Sequence, residues 1–336
     1  MSTVPQITSR HLAGRMVNPI GLGCMSLSWA YGGRPGDADG IALLHRAIDL
    51  GYDHFDTARL YGHGRNETLV GQALKGRRDK VFLASKMGIF ASGDKRGIDC
   101  HPDTIRTELE KSLTLLQTDH IDLYYMHRRD FTVPIEDSVG AMADLVKEGK
   151  IGAIGLSEMS AETLRRAAAV HPIAAMQTEY SPWTRQAEIA VIEACGDLGT
   201  TFVAFSPVAR GVLANGVRDP QALEEGDIRK AMPRFMGDNW PRNLALVDGF
   251  NAIAARQGVT PAQLSLAWVL GKGDHIVAIP GTGKIAHLEE NVARRDWAIP
   301  AAVTAEIDAL INQQTVAGHR YAGAMRPTID TEDFAV

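Results

Sequence analysis

Eight short runs of strand-forming residues, alternating with stretches that carry helical periodicity, constrain this 336-residue chain more than any other feature. The runs are Ile20-Gly21-Leu22-Gly23, His54-Phe55-Asp56, Val81 to Lys86, Ile121 to His127, Ile151 to Ser157, Ile173 to Glu179, Thr201 to Phe205 and Ile276 to Ile279. Between them, Ile41 to Leu50 repeats apolar residues at Leu43, Leu44, Ala47 and Leu50. Thr104 to Leu116 does the same with Ile105, Leu109, Leu113 and Leu116, and Pro102 stands near its start. Eight strands, each followed by a helix, is the count of a closed parallel barrel. A doubly wound sheet is the competitor, but it normally uses fewer strands and leaves edges to cover. The pattern predicts an α/β chain folded as a single (β/α)8 TIM barrel over residues 1–336, with a core at about 8–315. A β-hairpin near residues 7–18 precedes the barrel, and a tail from about 315 to 336 either caps its mouth or frays.

Composition excludes several function classes. Hydrophobic residues make up 45% and charged residues 22%, as in ordinary globular proteins. The net charge of −5 is spread along the chain without the basic face of a nucleic-acid binder. No apolar stretch approaches the roughly 18 residues of a membrane helix, and the N-terminus lacks the basic-then-apolar layout of a secretory signal. Cys24, Cys100 and Cys195 are far apart and have no metal or CxxC spacing. A reduced cytoplasmic protein is expected, monomeric by default, with no nucleic-acid or membrane partner.

One segment breaks the rhythm. Residues 207 to about 243 separate the seventh strand from its helix without clear periodicity, and a loop of that length is usually functional or disordered. Phe235, Met236 and Trp240 would suit a cover over a ligand.

In a barrel, chemistry sits at the C-terminal ends of the strands. Here the second run ends at Asp56, the third at Lys86 and the fourth at His127, with Tyr61 in the loop after Asp56. Titratable residues ending apolar strands are costly unless paired or used. The group has a common chemical sense. A phenol is a poor proton donor at neutral pH, a neighbouring ammonium favours its phenolate, and a carboxylate holds that ammonium in place. An imidazole beside the phenol can orient a carbonyl oxygen. None of the four is a strong nucleophile or a redox group, so a hydride would have to come from a bound cofactor.

Gly51-Tyr52-Asp53-His54-Phe55-Asp56-Thr57-Ala58-Arg59-Leu60-Tyr61-Gly62 resembles the signature of the aldo-keto reductases. Ala84-Ser85-Lys86 and Tyr124-Tyr125-Met126-His127-Arg128 resemble that family's lysine and histidine strands. Gly155-Leu156-Ser157-Glu158, Gln177-Thr178-Glu179-Tyr180-Ser181, Phe205-Ser206-Pro207 and Ile279-Pro280-Gly281-Thr282 match further along, in the family's order. The resemblance, over about residues 8–315, implies a barrel that binds NADP(H) in an extended pose without a Rossmann domain. It implies reduction of an aldehyde or ketone, or the reverse oxidation, with Tyr61 as proton donor, Lys86 and Asp56 tuning it, and His127 orienting the substrate.

The resemblance also implies cofactor contacts. Ser157, Glu158 and Gln177 match positions at the nicotinamide carboxamide, although many relatives carry Asn where Glu158 stands. Phe205 matches the aromatic that stacks on the nicotinamide ring, commonly Tyr, and Met25, Ser206, Pro207, Val208 and Gly211 flank the same cofactor. At the adenosine end the matching residues are Ile279, Gly281, Thr282, Lys284, His287, Glu290 and Asn291. Pro280-Gly281-Thr282-Gly283-Lys284 is not a P-loop, since Ala278 and Ile285 stand where that motif needs Gly and Ser/Thr. Gly283 replaces a frequent basic residue and His287 the usual Arg, so NADP(H) is favoured while NAD(H) stays possible.

Trp29, Tyr31, Tyr180, Trp183 and Trp240 are candidates to line a pocket for an alicyclic or aromatic carbonyl compound. Two other readings are open: a cofactor-sensing subunit with little turnover, and a metal-dependent barrel hydrolase. Against the second, none of the eleven histidines has HxH or HExxH spacing, and no metal site is expected. His54, His63, His101 and His120 read as surface or loop residues.

Overall fold

The computed structural model describes residues 9–92 and 95–334. Residues 7 and 8 of the expected hairpin, the N-terminal stretch weighed as a signal, and the last two residues of the tail lie outside them.

All eight runs become strands of one parallel sheet: β1 (Leu22–Gly23), β2 (His54–Asp56), β3 (Phe82–Met87), β4 (Leu123–Met126), β5 (Ile154–Ser157), β6 (Ile173–Glu179), β7 (Thr201–Phe205) and β8 (Ile276–Ile279). Parallel bridges Ile20–Ala278 and Gly23–Gly281 close the sheet into a (β/α)8 barrel. The seam is tight there, since a Cβ on Gly23 would lie 2.8 Å from the Ile279 carbonyl oxygen. A hairpin of Arg10–Leu12 and Arg15–Val17 precedes the barrel. Its Leu12 and Val17 pack with Phe82, Leu123, Val203 and Val277 inside the lower half.

The expected amphipathic stretches become α1 (Asp37–Asp49) and α3 (Pro102–Leu116), with α2 (Arg65–Leu74) between them. α1 buries Leu43, Leu44 and Ala47, and α3 buries Ile105, Leu109, Leu113 and Leu116. Pro102 sits in the first turn of α3, where its missing N–H costs nothing. The layer continues through α4 (Ile135–Lys147), α5 (Ala161–Ala168) and α6 (Val191–Leu198). After β7, the irregular segment gives way to α7 (Asn239–Arg256) and α8 (Pro261–Leu270), and β8 is followed by α9 (Ile285–Ala293) and α10 (Ala301–Leu310). The long loop therefore ends near 238, and Trp240 and Asn243 belong to α7. A second hairpin, Ile89–Ser92 with Lys95–Ile98, follows β3 and was not anticipated.

Side chains alternate across each strand. On β3 this puts Phe82, Ala84 and Lys86 on the barrel's inside, with Lys86 uppermost; on β2 it puts His54 below Asp56. His54 is therefore a barrel-interior residue rather than a surface one. It is fully buried, edge-on to Phe82 at 5.7 Å, and neither ring nitrogen has a hydrogen-bond partner among the described residues. Gly21 leaves it room, since a Cβ there would come within 2.7 Å of the ring. His63 and His101 are exposed and His120 is half-buried, as read.

Burial pulls the His54 imidazole down to about 4. The unfolded chain then binds more protons than the folded one between pH about 6.5 and 4, so acid destabilises the fold across that window. His54→Leu should flatten this dependence: the drop in urea midpoint from pH 7 to pH 4.5 should be smaller in the variant. An equal drop in both proteins would remove His54 as its source.

Candidate active site

The upper end of the barrel collects the titratable residues on which the sequence strands end. Lys86 is fully buried, and its Nζ is an ion-pair partner of Asp56 Oδ1. The same ammonium donates to the Thr57 carbonyl at 2.9 Å and to the Tyr61 hydroxyl at 3.5 Å. Gln177 Nε2 donates to Asp56 Oδ2 at 2.8 Å, so both carboxylate oxygens are engaged. His127, one residue beyond β4, stands edge-on to Tyr61 with ring centroids 5.9 Å apart. Trp29 stacks on Tyr61 at 5.8 Å.

Local sequence explains how a loop tyrosine is held so firmly. Tyr61 begins a turn in which Gly62, His63 and Gly64 all have positive φ. At Gly64 the φ of +91 is one that side chains rarely adopt, and it favours glycine there. Just beyond, the buried Asn66 accepts from Thr57 at 2.6 Å and donates to the Cys24 carbonyl at 2.8 Å, tying α2 to the ends of the first two strands.

The electrostatics differ in one respect from the sequence expectation. Burial raises the Tyr61 phenol above its ordinary value; Lys86 pulls it down, and Asp56 pushes it up again. The net direction is upward, so at neutral pH the hydroxyl keeps its proton. For Lys86, burial disfavours the charged form, but Asp56 and Tyr61 more than offset it and the ammonium is retained.

A cavity of about 820 Å³ opens above this cluster. At one end it is lined by Trp29, Tyr31, Asp56, Tyr61, His127 and Gln177. Met25, Phe205, Ser206, Pro207, Val208 and Gly211 line its middle, and Ile279, Gly281, Thr282, Gly283, Lys284, His287, Glu290 and Asn291 its far end. In the middle stretch Ser206, Ala209 and Arg210 have positive φ, a concentration of strain typical of ligand-binding turns. At the far end Thr282 Oγ1 accepts from the Lys284 N–H at 3.0 Å and sits 3.1 Å from His287 Nδ1, at the start of α9.

Several expected residues lie elsewhere. Tyr180 is buried against Phe202 and Trp268, with its hydroxyl donating to Glu188 at 2.6 Å. Trp183 is buried in the core outside the barrel, and Trp240 stacks on Phe235 at 5.5 Å. None of the three lines the cavity, and neither Phe235 nor the exposed Met236 covers it. The covering part of the long loop is instead Leu223 to Arg229. Ile228 N–H donates to the Ala30 carbonyl at 3.0 Å, and Glu224 and Asp227 accept from the backbone of Gly33 and Gly32.

Ser157 and Glu158 also fall outside the lining. Ser157 accepts from Arg128 Nη1 at 3.4 Å. Glu158, at φ +55, is turned toward the C-terminal tail: Arg320 grips its carboxylate with two bonds of 2.8 and 2.6 Å, and Thr331 and the Glu179 N–H donate to it as well. Its backbone carbonyl accepts from Asp330 and Thr331. Arg210 joins by pairing with Glu179 at 2.6 Å and donating to the Tyr321 hydroxyl at 3.0 Å. The Glu158 carboxylate is thus taken up in a buried latch, and Tyr321, Ala322 and Met325 of the tail line the cavity. Arg128, Arg210, Arg229 and Tyr321 were all missed from sequence. Only Arg128, adjacent to His127, carried a signal.

Among the described residues no three His, Cys, Asp or Glu gather as a metal site, and no helix is long and apolar enough to cross a membrane.

Burial alone would raise the Glu158 carboxyl, but Arg320 outweighs it and holds it at about 2. The stabilisation is present above the ordinary carboxylate pKa and fades only as pH falls from about 4.5 toward 2. Glu158→Gln, which leaves Arg320 buried with its nearest carboxylate at 3.7 Å, should cost about 3–5 kcal/mol at pH 7. It should also speed proteolytic cutting within 315–334. Unchanged melting and cutting would show that the latch does not hold the tail.

Comparison with known proteins gives a consistent picture. A sequence model described as the aldo/keto reductase family matches residues 19–312. The structure is similar to the glycerol dehydrogenase AKR11B4 from Gluconobacter oxydans, at 26% identity over 98% of each chain with a TM-score of 0.82. It is also similar to aldo-keto reductase AKR11C1 from Bacillus halodurans in its holo form, at 27% identity over 91% of this chain and 96% of that one, TM-score 0.75. An aldo/keto reductase from Klebsiella pneumoniae in complex with NADP and acetate matches at 28% identity, 94% and 99% coverage, and TM-score 0.70.

Proposed function

The chain belongs to the aldo/keto reductase family, and from that premise we propose that it reduces an aldehyde or ketone to the alcohol with NADPH, Tyr61 being the proton donor. The observation that carries the reading is the Tyr61 hydroxyl in reach of a buried, charge-retaining Lys86 in a cavity of about 820 Å³ whose lining also includes Thr282, Lys284 and Asn291. NADP-bound relatives support the choice of cofactor.

The residues present fit that cofactor. Phe205 and Gln177 would face the nicotinamide, and the strained turn from Ser206 to Gly211 would follow the pyrophosphate. Thr282, Lys284 and the N-terminus of α9 would take the 2′-phosphate, where backbone N–H groups and the helix dipole favour an anion. The chemistry supplied by the bound cofactor is a hydride to the carbonyl carbon. Tyr61 gives its proton to the carbonyl oxygen, which completes the alcohol. The upward net shift of the phenol keeps that proton available at neutral pH, and Lys86 stabilises the phenolate left behind. His127, beside the phenol, orients the carbonyl oxygen, and Asp56, held by Gln177, fixes Lys86 under Tyr61. Leu223 to Arg229 and the tail exclude water from above.

Lys284 offers one point charge to a 2′-phosphate, and the imidazole of His287 lacks the permanent charge and fork of an arginine. The preference for NADPH over NADH should be correspondingly reduced.

Tyr61→Phe should bind NADPH, read by tryptophan quenching, as tightly as the parent while turnover of aldehydes falls roughly 10²–10⁴-fold. The same titration with NADH should give weaker but measurable binding. Unchanged turnover would discard Tyr61 as the acid; tighter binding of NADH would reverse the cofactor assignment.

A further inference from the structure

The reacting end of the cavity holds a cation that the reduction itself does not use. Arg128 follows His127 directly, is nine-tenths buried, and lines the cavity beside Tyr61 and His127. Its Nη1 donates to the His127 carbonyl at 2.7 Å and to Ser157 Oγ at 3.4 Å. A guanidinium has five N–H donors. Those on Nε and Nη2, the side-on pair, have no protein acceptor among the described residues, and the side chain lines the cavity with 9% of its surface exposed.

The neighbouring charges do not neutralise it. Lys86 takes Asp56, Arg210 takes Glu179, and Arg229 takes Asp227 at 2.6 Å. Glu158, the acid nearest in sequence to its Ser157 contact, is gripped twice by Arg320. Arg128 forms no ion pair among the described residues, whereas the other arginines on the cavity wall have theirs. Its charge is felt at Tyr61, at Glu158 and at Tyr321. Apolar and aromatic side chains line the same cavity: Trp29, Leu60 and Ile89, which pack with Tyr61, and Tyr321 of the tail.

We propose that Arg128 selects the substrate: the carbonyl compound reduced at Tyr61 carries a carboxylate, and the side-on N–H pair of Arg128 holds it. The assignment rests on the reductase reading of the Tyr61 end. A planar fork matches the two oxygens of a carboxylate, and a buried cation is offset by such a partner. An apolar body between carbonyl and carboxylate suits the walls.

The test compares 4-carboxybenzaldehyde with 4-formylbenzamide, two aldehydes of one shape that differ in charge, in the parent, Arg128→Gln and Arg128→Lys. The ratio of kcat/KM values, acid over amide, is taken within one preparation, so partial misfolding cancels. It should exceed one in the parent, fall roughly 10- to 100-fold in Arg128→Gln, and be intermediate in Arg128→Lys, which keeps the charge without the fork. Calorimetry with benzoate and benzamide, with and without NADPH, should show a benzoate preference that Arg128→Gln removes. An acid-to-amide ratio unaltered by Arg128→Gln, or benzoate bound no better than benzamide by the parent, overturns the proposal. If no aldehyde is turned over but benzoate affinity still depends on Arg128, the reductase reading falls and the carboxylate site stands.

Discussion

The ion pair between Lys86 and Asp56 is the constraint around which the upper barrel is organised. An ammonium with no exposed surface is tolerable only if its charge is met and its donors are filled. Asp56, the Thr57 carbonyl and the Tyr61 hydroxyl do this, and Gln177 takes the free carboxylate oxygen. Asp56, Thr57 and Tyr61 come from β2 and the loop after it, Lys86 from β3 and Gln177 from β6, so the pair also fixes the relative heights of these three strands. Tyr61 inherits its position from that arrangement and its protonation from the balance of burial against the ammonium.

A second set of buried charges governs the cover. Glu158, Arg320, Glu179 and Arg210 form a continuous network between the ends of β5 and β6, the start of the long loop and the tail. Buried networks of this kind gain little net stability, yet breaking one member is expensive. They favour one arrangement over its competitors, here a tail seated with Tyr321 in the cavity wall. With Arg210 and Glu179 engaged in this network, Arg128 is left as the unpaired arginine of the reacting end.

The barrel was legible because its signal is periodic and repeated. Eight runs with helical stretches between them leave few topologies, and Asp56, Lys86 and His127 stood out as charges ending apolar strands. Strand parity explains the misplaced aromatic. On β6, Ala175 and Gln177 face inward, so Tyr180 falls on the outward face and packs against Trp268 under the helices. Counting by two from Gln177 would have excluded it. His54 could likewise have been placed inside, two residues below Asp56. The Glu158–Arg320 pair spans 162 residues and depends on the path of an irregular tail, which neither periodicity nor spacing encodes. The covering stretch of the long loop was hidden for the same reason: Glu224 and Asp227 act on the backbone of Gly33 and Gly32, a contact with no pattern in either segment.

The central claim is that the Asp56 carboxylate keeps Lys86 charged beneath Tyr61 and so sets the phenol's ability to give up a proton. The most direct measurement is the pH profile of kcat for Asp56→Asn beside the parent, in protein whose NADPH-induced quenching is intact. Without the carboxylate, burial governs Lys86 and its ammonium is lost at lower pH. The variant's kcat at pH 7 should be reduced at least about 10-fold, with the alkaline limb moved to lower pH. A profile of the same height and shape as the parent's would contradict the claim.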